Sequence, residues 1–304
     1  MPSLCKSGLP ATICREFIIL WRFIDNDIWD TICPSLIAFM TAWCYSNQSW
    51  NEFPARLGYS LGYAALYIYT FCLSNQVNGV EEDRINKPYR PLPTGLVTVK
   101  ATWIRIVVYT VVYLLVAWRL HIFWYSLAWV AVTYLLNTYG WSNHWFTKNV
   151  LGMTFGTFIL LNVQWGIAAP DTPASVQVLG YMALISVWAG IALPLQDMRD
   201  EQGDRKMGRR TLPITFGDKK ARMLLFINFL VFSPALFLGA MLTQLSPQQI
   251  FSREGAMIIL LLQIAIHWCI SIRVVRYKTP SADNKTYHLY VALFCAGVPV
   301  ICFL

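Results

Sequence analysis

Residues 197–205 read Asp-Met-Arg-Asp-Glu-Gln-Gly-Asp-Arg, and residues 75–84 read Asn-Gln-Val-Asn-Gly-Val-Glu-Glu-Asp-Arg. These two charged segments interrupt a chain that is otherwise largely apolar. When their Asp-Arg pairs are aligned, three positions of the earlier segment stand opposite the three aspartates of the later one: Gln76, Gly79 and Asp83 opposite Asp197, Asp200 and Asp204. The pattern indicates a duplicated site in which one copy keeps three carboxylates and the other keeps one.

The composition around these segments indicates an integral membrane protein. Of 304 residues, 56% are hydrophobic and only 13% are charged, which is more apolar than a soluble domain of this length requires. An apolar run of about 20 residues can cross the hydrocarbon core of a bilayer. We predict nine such spans, with eight as the alternative because Arg105, Pro234 and His267 interrupt three of them. The predicted spans are residues 30–48, 56–76, 98–118, 121–139, 149–168, 174–196, 219–243, 253–272 and 285–303.

The basic residues predict the orientation of this bundle. Lys and Arg concentrate in loops that stay cytoplasmic. Of the 24 Lys and Arg residues, only Arg56, Arg119 and Arg253 fall on one side of the predicted spans. We therefore expect the amino terminus and both charged segments on the cytosolic side, with the carboxyl terminus opposite. The net charge of +8 follows from this asymmetry and does not indicate a nucleic-acid partner.

Two further features of the sequence have ordinary interpretations. Residues 13–27 predict an amphipathic helix at the membrane interface, with Phe17, Ile18, Trp21 and Ile24 on one face. The eight cysteines lie mostly inside predicted spans, without a CxxC pair or a histidine spacing suited to zinc. They are typical of core packing.

The organisation of the chain favours a single domain over residues 1–304. Neither a linker nor a low-complexity tract divides it. The distance between the two charged segments corresponds to four helices, which predicts a four-plus-four pseudo-repeat with one added helix. Repeats of this kind commonly frame a site at their interface. We expect a central cavity between the carboxyl ends of spans two and six, with a first motif region at residues 75–93 and a second at 197–217.

The three aspartates of the second segment suit a hard cation. On a helix, Asp197, Asp200 and Asp204 at i, i+3 and i+7 fall within about 60° of one another, so we expect three carboxylates to converge. Oxygen ligands without His or Cys favour Mg²⁺, which completes its shell with water and substrate phosphates. The implied ligand is a diphosphate.

Basic residues near both segments suit the same ligand, because a leaving diphosphate gathers negative charge and requires donors already in place. Cytoplasmic anchoring is the alternative for each of them. The candidates near the segments are Arg84, Lys87, Arg90, Arg205, Arg209 and Arg210. Tyr139, Lys148 and Asn149, at the junction of spans four and five, are further candidates for the same headgroup site, with membrane anchoring as their alternative.

The predicted spans also contain many aromatic residues, some of which could stabilise a carbocation through their ring faces. The candidates are Phe71, Tyr134, Phe155, Phe158, Trp165 and Trp188. Asn162 and Gln164 are polar at membrane depth, which indicates either a cavity face or an interhelical hydrogen bond.

The motifs together resemble the UbiA superfamily of intramembrane prenyltransferases. The resemblance covers nearly the whole chain and rests on the predicted spans, on the stretch Asn86-Lys-Pro-Tyr-Arg-Pro91, and on the aspartate triad followed by Arg210-Thr-Leu-Pro-Ile-Thr-Phe-Gly217. It implies that Mg²⁺ held between the two motifs binds a prenyl diphosphate. It further implies that the diphosphate ionises and that the allyl cation is directed to an acceptor.

The first motif departs from the usual pattern of this family. Asn75 and Asp83 match it, whereas Gln76 and Gly79 replace two aspartates, and Glu82 is a candidate replacement ligand. This version resembles the fungal UbiA-type terpene cyclases, in which the cation is attacked by a double bond of its own chain. That resemblance implies the endoplasmic reticulum as the location.

We therefore expect a Mg²⁺-dependent class I terpene cyclase acting on farnesyl or geranylgeranyl diphosphate. The alternative on the same scaffold is an aromatic prenyltransferase of meroterpenoid or quinone biosynthesis, and a third possibility is a non-catalytic transporter or scaffold. The expected catalytic and metal-binding residues are Asn75, Asp83, Asp197, Asp200 and Asp204. The expected diphosphate-binding residues are Arg84, Lys87, Arg90, Tyr139, Lys148, Arg209 and Arg210.

Overall fold

A computed structural model of the chain describes residues 9–304, with side chains described from residue 12 onward. Residues 1–8 of the predicted domain lie outside this part. Within the described residues the secondary structure is helical and contains no β-strand, apart from one isolated bridge between His144 and Arg210. The predicted all-α class is confirmed for this part of the chain.

The first half of the described chain, up to Asn137, forms six α-helices. Thr98 begins one of them as an N-cap, since its side chain accepts a hydrogen bond from the amide of Ala101. Gly79 separates a long helix from the short helix that carries the acidic residues. The helices are α1 (Leu9–Ile24), α2 (Ile28–Tyr45), α3 (Phe53–Asn78), α4 (Val80–Asn86), α5 (Val99–Arg119) and α6 (Phe123–Asn137).

The helices of the second half include several changes of winding. Pro194 lies in a 3₁₀ turn, Leu193–Gln196, that leads directly into the aspartate helix. Wider π-helical turns occupy Phe146–Met153 and Asn228–Phe232. The α-helices are α7 (Thr154–Ala168), α8 (Val176–Ala192), α9 (Asp197–Lys206), α10 (Leu212–Phe216), α11 (Asp218–Ile227), α12 (Ser233–Leu242), α13 (Pro247–Ser252), α14 (Glu254–Arg276) and α15 (Pro280–Gly297). Short 3₁₀ helices occupy Trp141–Asn143 and Val298–Phe303.

Six continuous helices in the described part are long and apolar enough to cross a membrane. The other three predicted spans correspond to α2, α3 and α6, so the count of nine stays a prediction. The six helices are Val99–Arg119, Phe146–Ala168, Val176–Lys206, Asp218–Leu242, Glu254–Arg276 and Pro280–Phe303.

Burial differs strongly among these helices, as expected for a bundle in lipid. The helix Val176–Lys206 is mostly buried, whereas α5 exposes apolar side chains such as Ile104, Val107 and Leu115. Exposed apolar rows of this kind suit contact with lipid tails. The main core therefore lies among α2, α7, α8, α14 and α15, with α5 on the outside.

The predicted interfacial helix is present as α1. Phe17, Ile18 and Trp21 are exposed, as an interfacial helix requires. Ile24, which we expected on the same face, is instead buried in a second small core with Phe23. This helix packs on α3 and thereby lies close to the first motif region.

Candidate functional site

A cavity enters the bundle at the end that carries both charged segments. Each contributing helix presents one face to it, with residues spaced by three or four positions as helical geometry requires. On α2 and its N-cap these are Asp27, Asp30, Thr31 and Pro34, and on α15 they are Tyr287, Tyr290, Val291 and Phe294. The remaining walls come from α3, α6, α7, the π-helical turn before α7, and α8 with its continuation into α9.

The charged residues of the cavity come largely from the two motif regions. The structure thus brings together residues that are far apart in the sequence. The polar and charged residues from these regions and from the π-helical turn are Asn75, Glu82, Lys87, Arg90, Lys148, Asn149, Gln196, Asp200 and Arg209.

Asp197 is held by two neighbouring residues of the π-helical turn. The Nζ atom of Lys148 lies 2.6 Å from Oδ1 of Asp197, and Nδ2 of Asn149 donates to Oδ2 at 2.9 Å. A π-helix has a wider turn than an α-helix, and such turns are frequent at functional sites. Asp197 itself is fully buried, so both of its oxygens are satisfied inside the protein.

The other two aspartates of the triad are also paired with cations. Asp200 lies on the cavity wall, 3.8 Å from Nζ of Lys87, while Asp204 is fully buried and accepts a hydrogen bond from Arg209 at 3.1 Å. Between residues 9 and 304 the structure contains no group of three His, Cys, Asp or Glu residues arranged to hold one metal ion. The expected convergence of three carboxylates is therefore replaced by alternating negative and positive charges.

The first segment has a different construction. Gln76 is fully buried and its Nε2 atom donates to the backbone carbonyl of Phe23 at 2.9 Å, so it anchors α1 and does not line the cavity. Asp83 also turns away from the cavity and forms a paired contact with Arg90, at 2.9 and 3.1 Å. Burial raises the pKa of Asp83, and Arg90 opposes this rise.

Glu82 is the carboxylate that the first segment presents to the cavity. Its Oε2 atom lies 2.6 Å from Arg209, which also bonds Asp204 of the other segment. Burial raises the pKa of Glu82, and the positive charge of Arg209 lowers it in part. Arg209 therefore joins the two segments electrostatically.

Asn86 joins the same segments through hydrogen bonds to the backbone. Its Nδ2 atom donates to the carbonyl of Asp200 at 3.2 Å, and its Oδ1 atom accepts from the amide of Gly203 at 3.1 Å. A Cβ atom on Gly203 would overlap with the Asn86 side chain unless that side chain shifted. The close approach of α4 and α9 therefore favours glycine at this position.

Several residues predicted from the sequence do not line the cavity. Arg84 is exposed and paired with Glu81, and Tyr139 is 71% exposed. Arg210 is exposed, with its backbone bonded to Asn143 and Trp145.

Other residues of the cavity were missed by the sequence reasoning. Asp27 lies 3.7 Å from Arg90, and Asn137 accepts a hydrogen bond from Asn75 at 3.2 Å. The available signal for Asp27 and Asp30 was a pair of acidic residues at the beginning of an apolar span, where charges usually serve a function. A further missed residue is Tyr287, one of several polar residues near the beginning of the last span.

The deeper part of the cavity is lined by aromatic rings. Trp129 stacks on Tyr67, with ring centroids 4.4 Å apart, and on Phe71 at 5.4 Å. Tyr290 and Phe294 lie on the wall formed by α15. This lining is apolar enough for an isoprenoid chain and offers ring faces to a cation.

The structure separates the aromatic candidates named from the sequence. Of the six, Phe71 lines the cavity, whereas Tyr134 and Phe155 are more than half exposed. Phe158, Trp165 and Trp188 lie outside the lining, in the packed core. At membrane depth, Gln164 accepts a hydrogen bond from Ser60 at 2.7 Å, which confirms the interhelical alternative for this residue.

The donor atoms at the mouth of the cavity suit a magnesium ion. Asn75, Glu82 and Asp200 supply oxygen atoms on the cavity wall. Outside the lining, Oδ2 of the buried Asp204 has no hydrogen-bond partner. Mg²⁺ is commonly held by one or two carboxylates, with water and substrate phosphates completing its shell. The residues therefore fit Mg²⁺ that is bound together with a phosphate ligand.

Two proteins of Hericium erinaceus are similar to this chain over most of its length. The chain is 37% identical to the diterpene cyclase eriG of Hericium erinaceus, over 94% of this chain and 88% of that protein. It is also 34% identical to the polyprenyl transferase eriF of the same organism, over 94% of each chain.

Solved structures show the same fold. A UbiA homolog from Archaeoglobus fulgidus bound to DMAPP and Mg²⁺ superposes with a TM-score of 0.65 over 94% of this chain and 99% of that chain, at 15% identity. The sequence profile described as the UbiA prenyltransferase family matches residues 32–296. The chain therefore belongs to the UbiA prenyltransferase family.

Proposed function

We propose that this chain is a membrane-embedded class I terpene cyclase. It would ionise a linear prenyl diphosphate, farnesyl or geranylgeranyl, and direct the cation to a double bond of the same molecule. The observation that carries the proposal is a cavity that combines a charged mouth with an aromatic interior. The similarity to a diterpene cyclase over most of both chains supports the choice of cyclisation.

The residues at the mouth would hold the diphosphate. Lys87, Lys148 and Arg209 are cations of the cavity wall, each paired with a carboxylate. Preorganised cations stabilise charge that develops on a leaving group, since they need no reorganisation during the reaction. Asp197 and Asp204 would keep Lys148 and Arg209 in position.

Asn75, Glu82 and Asp200 are the proposed metal-binding residues on the cavity wall, with Asp83, Asp197 and Asp204 as the remaining candidates from the motifs. Bound Mg²⁺ would supply positive charge that stabilises the departing diphosphate. The chain's own contribution is to fix these oxygens at the mouth, where α4 and α9 meet through Asn86.

The aromatic interior would hold the isoprenoid chain away from water. Burial of each methylene contributes about 0.8 kcal/mol to binding. Tyr67, Phe71 and Trp129 form a stacked wall that would fold the chain and stabilise the cation through its ring faces. Exclusion of water would favour attack by the internal double bond over hydrolysis.

The second candidate function is transfer of the prenyl group to an aromatic acceptor. Its support is the similarity to a polyprenyl transferase, which covers as much of this chain as the similarity to the cyclase. The same charged mouth would serve both reactions, because both begin with ionisation of a prenyl diphosphate.

The proposal includes the arrangement in the membrane. Residues 1–304 would act as one domain with nine spans, a four-plus-four pseudo-repeat, and both motif regions facing the cytosol from the endoplasmic reticulum. The distribution of Lys and Arg supports this orientation. Cysteine accessibility in sealed microsomes would test it.

The decisive experiment uses membranes that carry the full chain. They are incubated with Mg²⁺ and either farnesyl or geranylgeranyl diphosphate, without an acceptor, and the organic extract is analysed by gas chromatography and mass spectrometry. A cyclic hydrocarbon or alcohol that depends on Asp200 would support cyclisation. The Asp200→Ala variant removes the cavity carboxylate, and Glu201→Ala, which removes a neighbouring carboxylate paired with Arg205, is the matched control.

One result would count against cyclisation, and another against the assignment of the site. Consumption of substrate only after phenolic acceptors are added would assign the chain to the prenyltransferase alternative. An unchanged product yield from Asp200→Ala would contradict the proposed role of the second segment.

A further inference from the structure

Asp30 is a carboxylate of the cavity wall that the two motifs do not explain. It lies one helical turn beyond Asp27 along α2, on the same face as Thr31 and Pro34. Asp27 is engaged by Arg90 at 3.7 Å and by the thiol of Cys72 at 3.3 Å. Asp30 therefore lies beyond the charged mouth, on the side where the isoprenoid chain would bind.

The surroundings of Asp30 orient it without saturating it. Tyr287, on α15, lines the same cavity as Asp30. The guanidinium of Arg199 lies 4.4 Å above the ring of Tyr287, and its Nε atom lies 3.5 Å from Asp200. Oδ1 of Asp30 is buried and has no hydrogen-bond partner.

Asp283 is a buried carboxylate of the same protein whose hydrogen bonding can be compared with that of Asp30. Both of its oxygens accept hydrogen bonds from Arg222, each at 2.9 Å. A buried acceptor without a partner costs free energy, so the open oxygen of Asp30 is not explained by stability. Asp30 as a whole is partly exposed and lines the cavity, so its carboxylate is within reach of a molecule bound there.

The other carboxylates on the cavity wall have cationic partners. Asp27 has Arg90, Glu82 has Arg209, and Asp200 has Lys87. Among the four carboxylates of the cavity wall in the described part of the chain, Asp30 is the one with a buried oxygen that lacks a hydrogen-bond partner. Asp30 also has no ion pair within 4 Å among the described residues, so its carboxylate is free to accept a proton.

We propose that Asp30 is the base that ends the cyclisation, an inference that rests on the proposed function. The carbon–oxygen bond of the prenyl diphosphate breaks first, and diphosphate keeps the electron pair. A double bond of the same chain attacks the cation, which forms a carbon–carbon bond and a new cationic centre.

Asp30 acts in the last step. A carbon–hydrogen bond next to the new cationic centre breaks, its electrons form a double bond, and the proton goes to the carboxylate of Asp30. The carboxylate of Asp30, which is partly exposed on the cavity wall, gives the proton to water when the products leave, so the balance is one prenyl diphosphate converted to one cyclic hydrocarbon, diphosphate and one proton. Tyr287 and Arg199 are positioning residues for this carboxylate.

The test separates ionisation from proton loss. Membranes carrying the wild-type chain or Asp30→Asn receive Mg²⁺ and farnesyl or geranylgeranyl diphosphate, and both diphosphate release and the product mixture are measured. We expect diphosphate release to fall by less than about tenfold, while the share of the main hydrocarbon falls by at least about tenfold, because a positioned base contributes that much or more. Alcohols from water capture and other olefins should take its place.

Each outcome decides the inference. An unchanged product mixture from Asp30→Asn would overturn it, and so would an equal loss of diphosphate release and of every product, because that would indicate a merely structural role. If the wild-type chain releases no diphosphate from either substrate, the proposed function fails and the inference fails with it. A cyclising wild type with an unaltered Asp30→Asn profile would overturn the inference alone.

Further variants keep the test valid if Asp30→Asn does not accumulate in membranes. Tyr287→Phe keeps the ring and removes the hydroxyl, so we expect a smaller shift in the same direction. Asp30→Glu keeps the base but moves it, and we expect the main hydrocarbon to be retained in part. Asp25→Asn changes a nearby aspartate outside the cavity and should leave the mixture unchanged.

Discussion

The two motif regions share one type of contact and differ in their other contacts. In both, an aspartate is paired with a downstream arginine, Asp83 with Arg90 and Asp204 with Arg209. At the position where the second region has the buried Asp197, the first has Gln76, which holds the backbone of Phe23. In the first region this position therefore anchors α1, whereas the second region keeps its charges around the cavity.

The difference teaches that the two regions carry unequal roles. In the second region, Asp200 lies on the cavity wall, whereas the first has Gly79 at the corresponding place and presents Glu82 one turn later. Chemistry should therefore depend more on the second region, and attachment of α1 more on the first.

The largest expected effect is on turnover, from Asp200→Asn. This change keeps the size of the side chain and removes the negative charge from the cavity wall, so we expect diphosphate release to fall by about 10³-fold. Release of diphosphate from the prenyl diphosphate substrate is the measurement. Glu82→Gln should lower diphosphate release less, by about tenfold. Equal losses in the two variants would contradict the unequal roles of the two motif regions.

The next effect is on stability, from Lys148→Met. It leaves the fully buried Asp197 without its cation, with only Asn149 as partner, so we expect the free energy of unfolding to fall by about 3 kcal/mol. Denaturant unfolding in detergent measures it. Combining Lys148→Met with Asp197→Leu should recover most of this loss without restoring turnover. In the first region, Gln76→Leu should cost only about 1–2 kcal/mol, because a neutral amide is lost.

A smaller effect is expected where the two regions meet. Gly203→Ala places a methyl group against the Asn86 side chain, and we expect a loss of about 1–2 kcal/mol in the free energy of unfolding. Gly62→Ala is the matched control, since a Cβ atom there contacts nothing, and it should be neutral or stabilising by about 0.5 kcal/mol. Thermal unfolding of both variants compares them, and an undisturbed Gly203→Ala protein would argue against the close contact of α4 and α9.

The smallest effect is expected for Arg84, which the sequence did not distinguish from Arg209. Arg84 is exposed and bonded to Glu81, so Arg84→Gln should change turnover by less than about twofold. Arg209→Gln should lower it by at least about tenfold, because this side chain contacts both Glu82 and Asp204. Steady-state turnover of the two variants is sufficient, and similar losses would place Arg84 nearer the ligand than its contacts indicate.

The sequence was sufficient for the helical membrane fold and for the meeting of the two motif regions, because long apolar runs and clustered charges are local patterns. It was not sufficient to separate Arg84 from Lys87 and Arg90, since that depends on how α4 is turned against α9. Asp30 and Tyr287 could not be paired from the sequence either. They lie on helices at opposite ends of the chain, and only packing brings them together.

The π-helical turn Phe146–Met153 affects how the cavity of this protein can evolve. It carries Lys148, at the charged mouth, and leads into α7, which places Gly156, Thr157 and Leu160 on the wall of the cavity. Because the extra width of such a turn absorbs a shift in register, the wall can be rebuilt while the mouth stays fixed. In this way evolution could change which prenyl chain the cavity accepts while the diphosphate site stays the same.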